Sequence, residues 1–321
     1  MDMEISMTYT QTNYFVPYAA GGLDSSGQQD IAKNAFLFSV SVGGGPVQQL
    51  EMDTGSTGVV VDASYITTST PLPSSYGTIP TPSYSSSGSS YTGTWVLATL
   101  EFQNADGTSF TTAEIPVFAA NVPDSTKPVK MMGVAVCVVP GASSELNTNA
   151  WNPFLNLEAM VSGALSKSYI VSRTGVTFGI DATTEATFQL FQGLTPTGSV
   201  SVTAQGAATP AYTANLPLLL DTGINYTIVA PLSGSPVPTT LLQTGGEQFN
   251  SDLTISIGFW GNIASWSYST TDCGSPSLPA LARSVKPGQP SIINTGRTVF
   301  ATYDYLADVT NNVVGIRLTT T

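Results

Sequence analysis

The chain has 321 residues, 41% of them hydrophobic, with 9 Lys plus Arg against 21 Asp plus Glu, no His and a formal net charge of −12. That length suffices for a large core and for two lobes, and that hydrophobic content excludes a disordered chain. The scarcity of basic side chains argues against a binder of phosphate backbones, and the absence of His rules out a Ser-His-Asp or Cys-His nucleophilic site.

The isoelectric point is near 4.1. Free carboxylates titrate near pH 4, so in acid the surface loses most of its negative charge and has few cations to replace it. Self-repulsion therefore stays small under conditions where many proteins unfold by charging. No His becomes cationic between pH 5 and 7.

In chain order, residues 8–17 are β-prone, and 35–42 predicts a strand that Gly43-Gly44-Gly45-Pro46 turns back. The glycine triplet is not read as a phosphate loop, because no Lys-Ser/Thr pair or helix follows it. Residues 49–61 then read as strand, tight acidic turn and strand around Asp53-Thr54-Gly55-Ser56. Residues 69–90 are rich in Ser, Pro, Gly and Tyr and predict a loop, followed by an alternating strand over 91–102. The longest apolar run, near 131–139, is well short of the roughly 18 residues of a spanning helix. Leu157, Met160, Val161 and Leu165 give 155–166 the best helical spacing in a chain otherwise short of helices. The turn-rich stretch near 190–200 suggests a passage between two halves. Residues 218–229 repeat the earlier pattern around Asp221-Thr222-Gly223-Ile224, and 253–259 and 266–268 are further strand candidates.

One Asp-Thr-Gly is an ordinary turn. Two, 168 residues apart (53 to 221) and each flanked by matching apolar runs, predict a duplicated lobe whose copies bring two carboxylates face to face.

On these residues the chain resembles the pepsin-like aspartic proteases, in which each lobe supplies one Asp of a catalytic pair. The resemblance covers most of the chain. Met131-Met132-Gly133 is similar to the segment that crosses the first active-site turn in that family, and Asn294-Thr295-Gly296 stands where the second is expected, with polar residues replacing the apolar pair. Residues 152–155, 176–181, 297–300 and 311–316 are similar to other family landmarks.

The resemblance implies an all-β, bilobal fold with few short helices, pseudo-twofold lobes and a cleft between them. Residues 1–192 would form the N-terminal lobe carrying Asp53 and the flap, and 193–321 the C-terminal lobe carrying Asp221, with the N-terminal strand in an interlobe sheet. It implies Asp53 and Asp221 as the catalytic pair, with Thr54, Gly55, Ser56, Thr222 and Gly223 supporting the turns. Tyr84, Ser85 and Ser86 would belong to the flap over the substrate cleft, with Tyr91 the alternative flap tyrosine. The implied activity is that of an acid endopeptidase acting on an extended peptide and blocked by pepstatin-type inhibitors. It would be a monomer outside the cytoplasm, needing neither cofactor nor metal and binding neither nucleic acid nor membrane. The alternative is a catalytically silent binding or inhibitor protein of the same fold.

Departures from the family pattern carry expectations of their own. Ser56 keeps a hydroxyl beside Asp53, whereas Ile224 lacks one beside Asp221, which makes Asp221 the expected proton carrier. Val60 replaces a Trp that commonly supports the flap. The one sequon, Asn225-Tyr226-Thr227, falls against the second turn, where Asn225 is expected to hydrogen-bond. Cys137 and Cys273 allow at most one disulfide; two separate thiols are expected, and the alternative is a bridge between the lobes. Met1-Asp2-Met3-Glu4 lacks the basic start and apolar core of a signal peptide and reads as a mature or engineered start.

Overall fold

The computed structural model describes residues 13–31, 34–84, 89–104, 106–122, 129–136, 149–231, 235–244, 246–259, 265–270, 281–282 and 291–319. Cys137, Cys273, Ser85 and Ser86 lie outside these residues. Three large sheets hold nearly all the strands among the described residues, and the two α-helices there are four-residue turns, so the protein is all-β and bilobal.

A nine-stranded sheet is formed by residues from the first half and a seven-stranded sheet by residues from the second. Both are built round the same local topology. In the first, strand Lys130–Val134 inserts between Gln48–Asp53 and Thr57–Asp62, parallel to the former and antiparallel to the latter, with Gly133 opposite Asp53. In the second, Ile292–Asn294 inserts between Tyr212–Leu219 and Ile228–Ala230 with the same senses. Each Asp-Thr-Gly turn is thus splayed open by a strand arriving from much later in the chain. The turn then cannot close as an ordinary hairpin.

A six-stranded sheet joins the halves. Its order is Tyr14–Pro17, Gly175–Phe178, Ser168–Val171, Tyr303–Asp308, Val313–Leu318, Gln189–Gln192, so strands from both ends and the middle of the chain share one sheet. The expected contribution of the N-terminal segment is present as Tyr14–Pro17. Strand Leu37–Val42 returns to Gln48–Asp53 through Gly43 and Gly44, whose positive φ angles of 55° and 68° suit glycine. The strand expected over 91–102 is two, Gly93–Ala98 and Leu100–Gln103, and Leu253–Phe259 has the expected bounds.

The expected helix over 155–166 shrinks to Glu158–Val161. Asn152 caps a separate 3-10 turn, Pro153–Leu155, by accepting from Phe154 N–H at 2.8 Å, and Leu157 is extended. Gly163 in the left-handed region (φ 79°) lies just beyond the helix. The apolar spacing there serves core packing: Leu155, Leu157, Met160 and Leu165 are all buried beside Phe154, whose ring meets Phe38, Tyr169 and Phe178 edge-on.

Candidate active site

The two turns meet. Asp53 and Asp221 are 6% and 5% exposed, and the Asp53 side chain is within hydrogen-bonding reach of that of Asp221. A methyl group placed on Gly55 would fall onto the Asp221 carboxylate, and one on Gly223 onto that of Asp53. Glycine at both positions is therefore a condition of the approach.

The hydrogen bonding is nearly symmetric. Gly55 N–H donates to Asp53 Oδ1 at 2.7 Å, and Gly223 N–H to Asp221 Oδ1 at 2.8 Å. Ser56 Oγ–H donates to Asp53 Oδ2 at 2.5 Å. The matching donor on Asp221 does not come from its own turn, which has Ile224 there; Asn294 Nδ2–H donates to Asp221 Oδ2 at 2.5 Å from the crossing segment, while Asn294 Oδ1 accepts from Gly296 N–H. The polar residue that departs from the family pattern thus supplies what Ile224 lacks. Asn294, not the neighbouring Asn225, is the amide that reaches Asp221.

The threonines lock the turns across the lobes. Thr54 Oγ1–H donates to Leu220 O at 2.6 Å and accepts from Thr222 N–H at 2.9 Å; Thr222 Oγ1–H donates to Met52 O at 2.7 Å and accepts from Thr54 N–H at 3.0 Å. Both side chains are buried, and every polar group of this square finds its partner in the opposite half. Position of the carboxylates is hence tied to the relative placement of the halves.

Electrostatically the two acids are not alone. Burial, then the charge of Asp53, pushes the Asp221 carboxyl well above the ordinary range, against the opposing pull of the Asn294 and Gly223 donors. Two residues before Asp53, half-buried Glu51 is pushed up to about 7, chiefly by burial, with Asp53 adding to the rise and Arg297 opposing it. Arg297, 8% exposed, feels both Glu51 and Asp221. Among the described residues no group of three or more His, Cys, Asp or Glu side chains could hold a metal ion.

Ser83–Tyr84 pairs with Ser89–Ser90 in a small hairpin, Tyr84 opposite Ser89, and of the flap tip expected within 84–89 the residues 85–88 lie outside the described residues. Tyr91, the alternative flap tyrosine, packs on the cluster of Val60, Phe118 and Ala120. Val60 itself is fully buried there. The indole near the flap belongs to Trp95, on the strand that follows the hairpin: its Nε1–H donates to Pro80 O at 3.2 Å, and its ring meets Phe118 and Trp151 edge-on. In the sequon, the Thr227 hydroxyl is committed to Thr295 O at 3.2 Å.

No protein-family model and no curated protein matches the chain. Among solved structures it is similar to the aspartic proteinase from Irpex lacteus, at 15% identity and a TM-score of 0.59, over 96% of this chain and 98% of that one. It is also similar to Basic 7S globulin from soybean, at 12% identity and a TM-score of 0.55, over 96% of both. At these identities the likeness is one of architecture: the chain has the bilobal, all-β pepsin-like fold.

Proposed function

We propose that the protein is an aspartic endopeptidase working in acid, residues 1–192 supplying Asp53 and residues 193–321 supplying Asp221. The observation that carries this reading is the pair of facing carboxylates held by matched donors, with Ser56 and Asn294 each committed to one of them. Two such acids do not both ionise cheaply, so one proton is shared and the pair titrates as a unit. Burial and its neighbour's charge make Asp221 the member that carries the proton.

Asp53 then accepts a proton from water as the water oxygen attacks the peptide carbonyl, while Asp221 gives its proton to the carbonyl oxygen. The resulting tetrahedral diol collapses: the C–N bond breaks, the leaving nitrogen takes the proton held by Asp53, one diol hydroxyl returns its proton to Asp221, and the pair is left with its single shared proton. No covalent enzyme intermediate is involved. The substrate is an extended peptide lying as a strand between the halves, and the protein acts as a monomer outside the cytoplasm.

The test is digestion of an unfolded protein such as casein between pH 3 and 5. Wild type should cleave and be blocked by a pepstatin-type inhibitor, and Asp53→Asn should lose at least about a hundredfold in rate. No acid-dependent cleavage by the wild type would favour a silent binding protein of the same fold.

A further inference from the structure

The duplication breaks at one place in the crossing segments. Met131 stands opposite Glu51, two residues before Asp53, and Asn294 opposite Leu219, two residues before Asp221, so the two occupy the same place in the repeat. Met131 packs on the cluster of Val60, Phe118 and Ala120, whereas Asn294 is buried and its amide reaches the Asp221 carboxylate. The backbone that carries this amide is docked on the second turn. Thr295 N–H donates to Leu219 O and Arg297 N–H to Ile224 O, both at 2.9 Å, and the Thr227 hydroxyl donates to Thr295 O.

The amide can face only one way. Asn294 Oδ1 accepts from Gly296 N–H at 2.9 Å, which leaves Nδ2 for Asp221 Oδ2 at 2.5 Å. Turned over, it would set oxygen against a carboxylate oxygen and NH2 against an N–H, losing both bonds in a buried site. The matching donor on Asp53 Oδ2 is of a different kind. The Ser56 hydroxyl both donates and accepts, so it can rotate to receive a proton carried by that oxygen, whereas an amide NH2 only donates. We infer that Asn294 is a positioning residue of the pair, a one-way donor that bars the shared proton from the side of Asp221 facing the crossing segment, while Ser56 leaves the corresponding place on Asp53 open. A proton on Asp221 is thereby kept to positions that do not point at Asn294, and Gly223 N–H holds Oδ1 in the same sense at 2.8 Å.

The inference deepens the protease reading and rests on it for the kinetic consequence. The other charged or titratable side chains on the elements around Asp221 are Asp53 on the facing turn, Glu51 on the strand leading to it, Tyr226 on the same turn and Arg297 just beyond Gly296. Two variants leave all four in place. Asn294→Asp keeps the side chain's shape and the acceptor for Gly296 N–H but puts an oxygen where the NH2 stood, and that oxygen donates to Asp221 only while protonated. With an extended peptide substrate, the alkaline limb of its kcat/KM profile should move down by about one pH unit, about a tenfold loss at fixed pH on that limb. Asn294→Leu, which offers neither donor nor charge, should move the same limb up. A merely structural role would lower activity in both variants without moving the limb in opposite directions. The second readout needs neither activity nor a variant. In isotope-labelled wild type the Asn294 side-chain amide, assigned through its own β-carbon and recorded alongside the Asp carboxyl carbons, should shift downfield as the pair loses its last proton, because its acceptor then becomes a full carboxylate. An amide signal that does not follow the pair, or a limb that moves the same way or not at all in the two variants, would overturn the inference. A wild type that cleaves nothing sinks the protease reading instead, and there, as with a variant that fails to fold, the amide titration decides the role of Asn294.

Discussion

Replacing Thr222 with Val removes a hydroxyl while keeping the side chain's shape, and the square of bonds around it sets the cost. Thr222 Oγ1 serves two partners, Met52 O at 2.7 Å and Thr54 N at 3.0 Å, and the residue is fully buried. The substitution leaves a buried carbonyl and a buried N–H unpaired. Each such group costs about 1–3 kcal/mol, so the variant should lose about 2–5 kcal/mol. Thr54→Val strips Leu220 O and Thr222 N in the same way, so by near-symmetry its loss should match within about 1 kcal/mol. The double variant should cost less than the two singles together by about 1 kcal/mol or more, because once one corner loosens, water reaches the other. Urea unfolding at pH 4.5, followed by tryptophan fluorescence, measures all three. Either single variant within about 0.5 kcal/mol of wild type would refute the view that these hydroxyls bind the lobes.

Asn294→Leu restores an apolar residue to the crossing segment but removes the 2.5 Å donor to Asp221 Oδ2. Since that donor favours the charged carboxylate, its loss should raise the Asp221 pKa further and carry the alkaline limb of the kcat/KM profile upward; an unmoved limb argues against it. Glu51→Gln tests the linkage of stability to pH. A folded-state value near 7, above the ordinary 4.5, means that Glu51 contributes stability fully below about pH 4.5 and loses it as pH rises through 7. At 1.36 kcal/mol per pH unit the interval corresponds to about 3 kcal/mol, reduced to about 2 by the partial exposure of the side chain. Chemical denaturation at pH 4.5 and pH 7.5 should therefore differ by about 2 kcal/mol less in Glu51→Gln than in wild type, and an equal difference in both proteins would count against it.

The buried carboxyls and the surface push in the same direction. Burial is the first cause of a raised pKa at Asp221, Glu51, Asp304 and Asp308 alike, and outweighs the Arg317 pairing at 2.9 Å in the case of Asp304. By the same sign argument each favours the folded state in acid and withdraws that support as pH rises. The sparse cations and absent His, visible in composition alone, remove the repulsion that would offset this gain.

What the sequence made legible follows from where the physics is local. An apolar run, an Asp and a Gly within a few residues define a turn whatever surrounds it, and repetition of that unit points to two facing halves. The partner of a side chain across the lobe boundary is a different matter. Thr54 and Thr222 read as supports of their own turns, yet each bonds the backbone of the other. Asn294 reads as a flaw in an apolar segment because its facing direction is set by the register of Ile292–Asn294 against Tyr212–Leu219, a pairing between segments some 75 residues apart in sequence. The burial of Arg297 was illegible for a stronger reason: arginine is mostly a surface residue, and its Nη1 here reaches the carbonyl of Asn34, 263 residues away in sequence. The apolar spacing at 155–166 misled in the opposite sense, since the core it fills is satisfied by two short turns around Asn152 and Gly163 as well as by one helix. Signals confined to a turn survive in the sequence, whereas those that depend on which segment arrives from the other half do not. The residues that tune a site built between two halves therefore concentrate among the second kind.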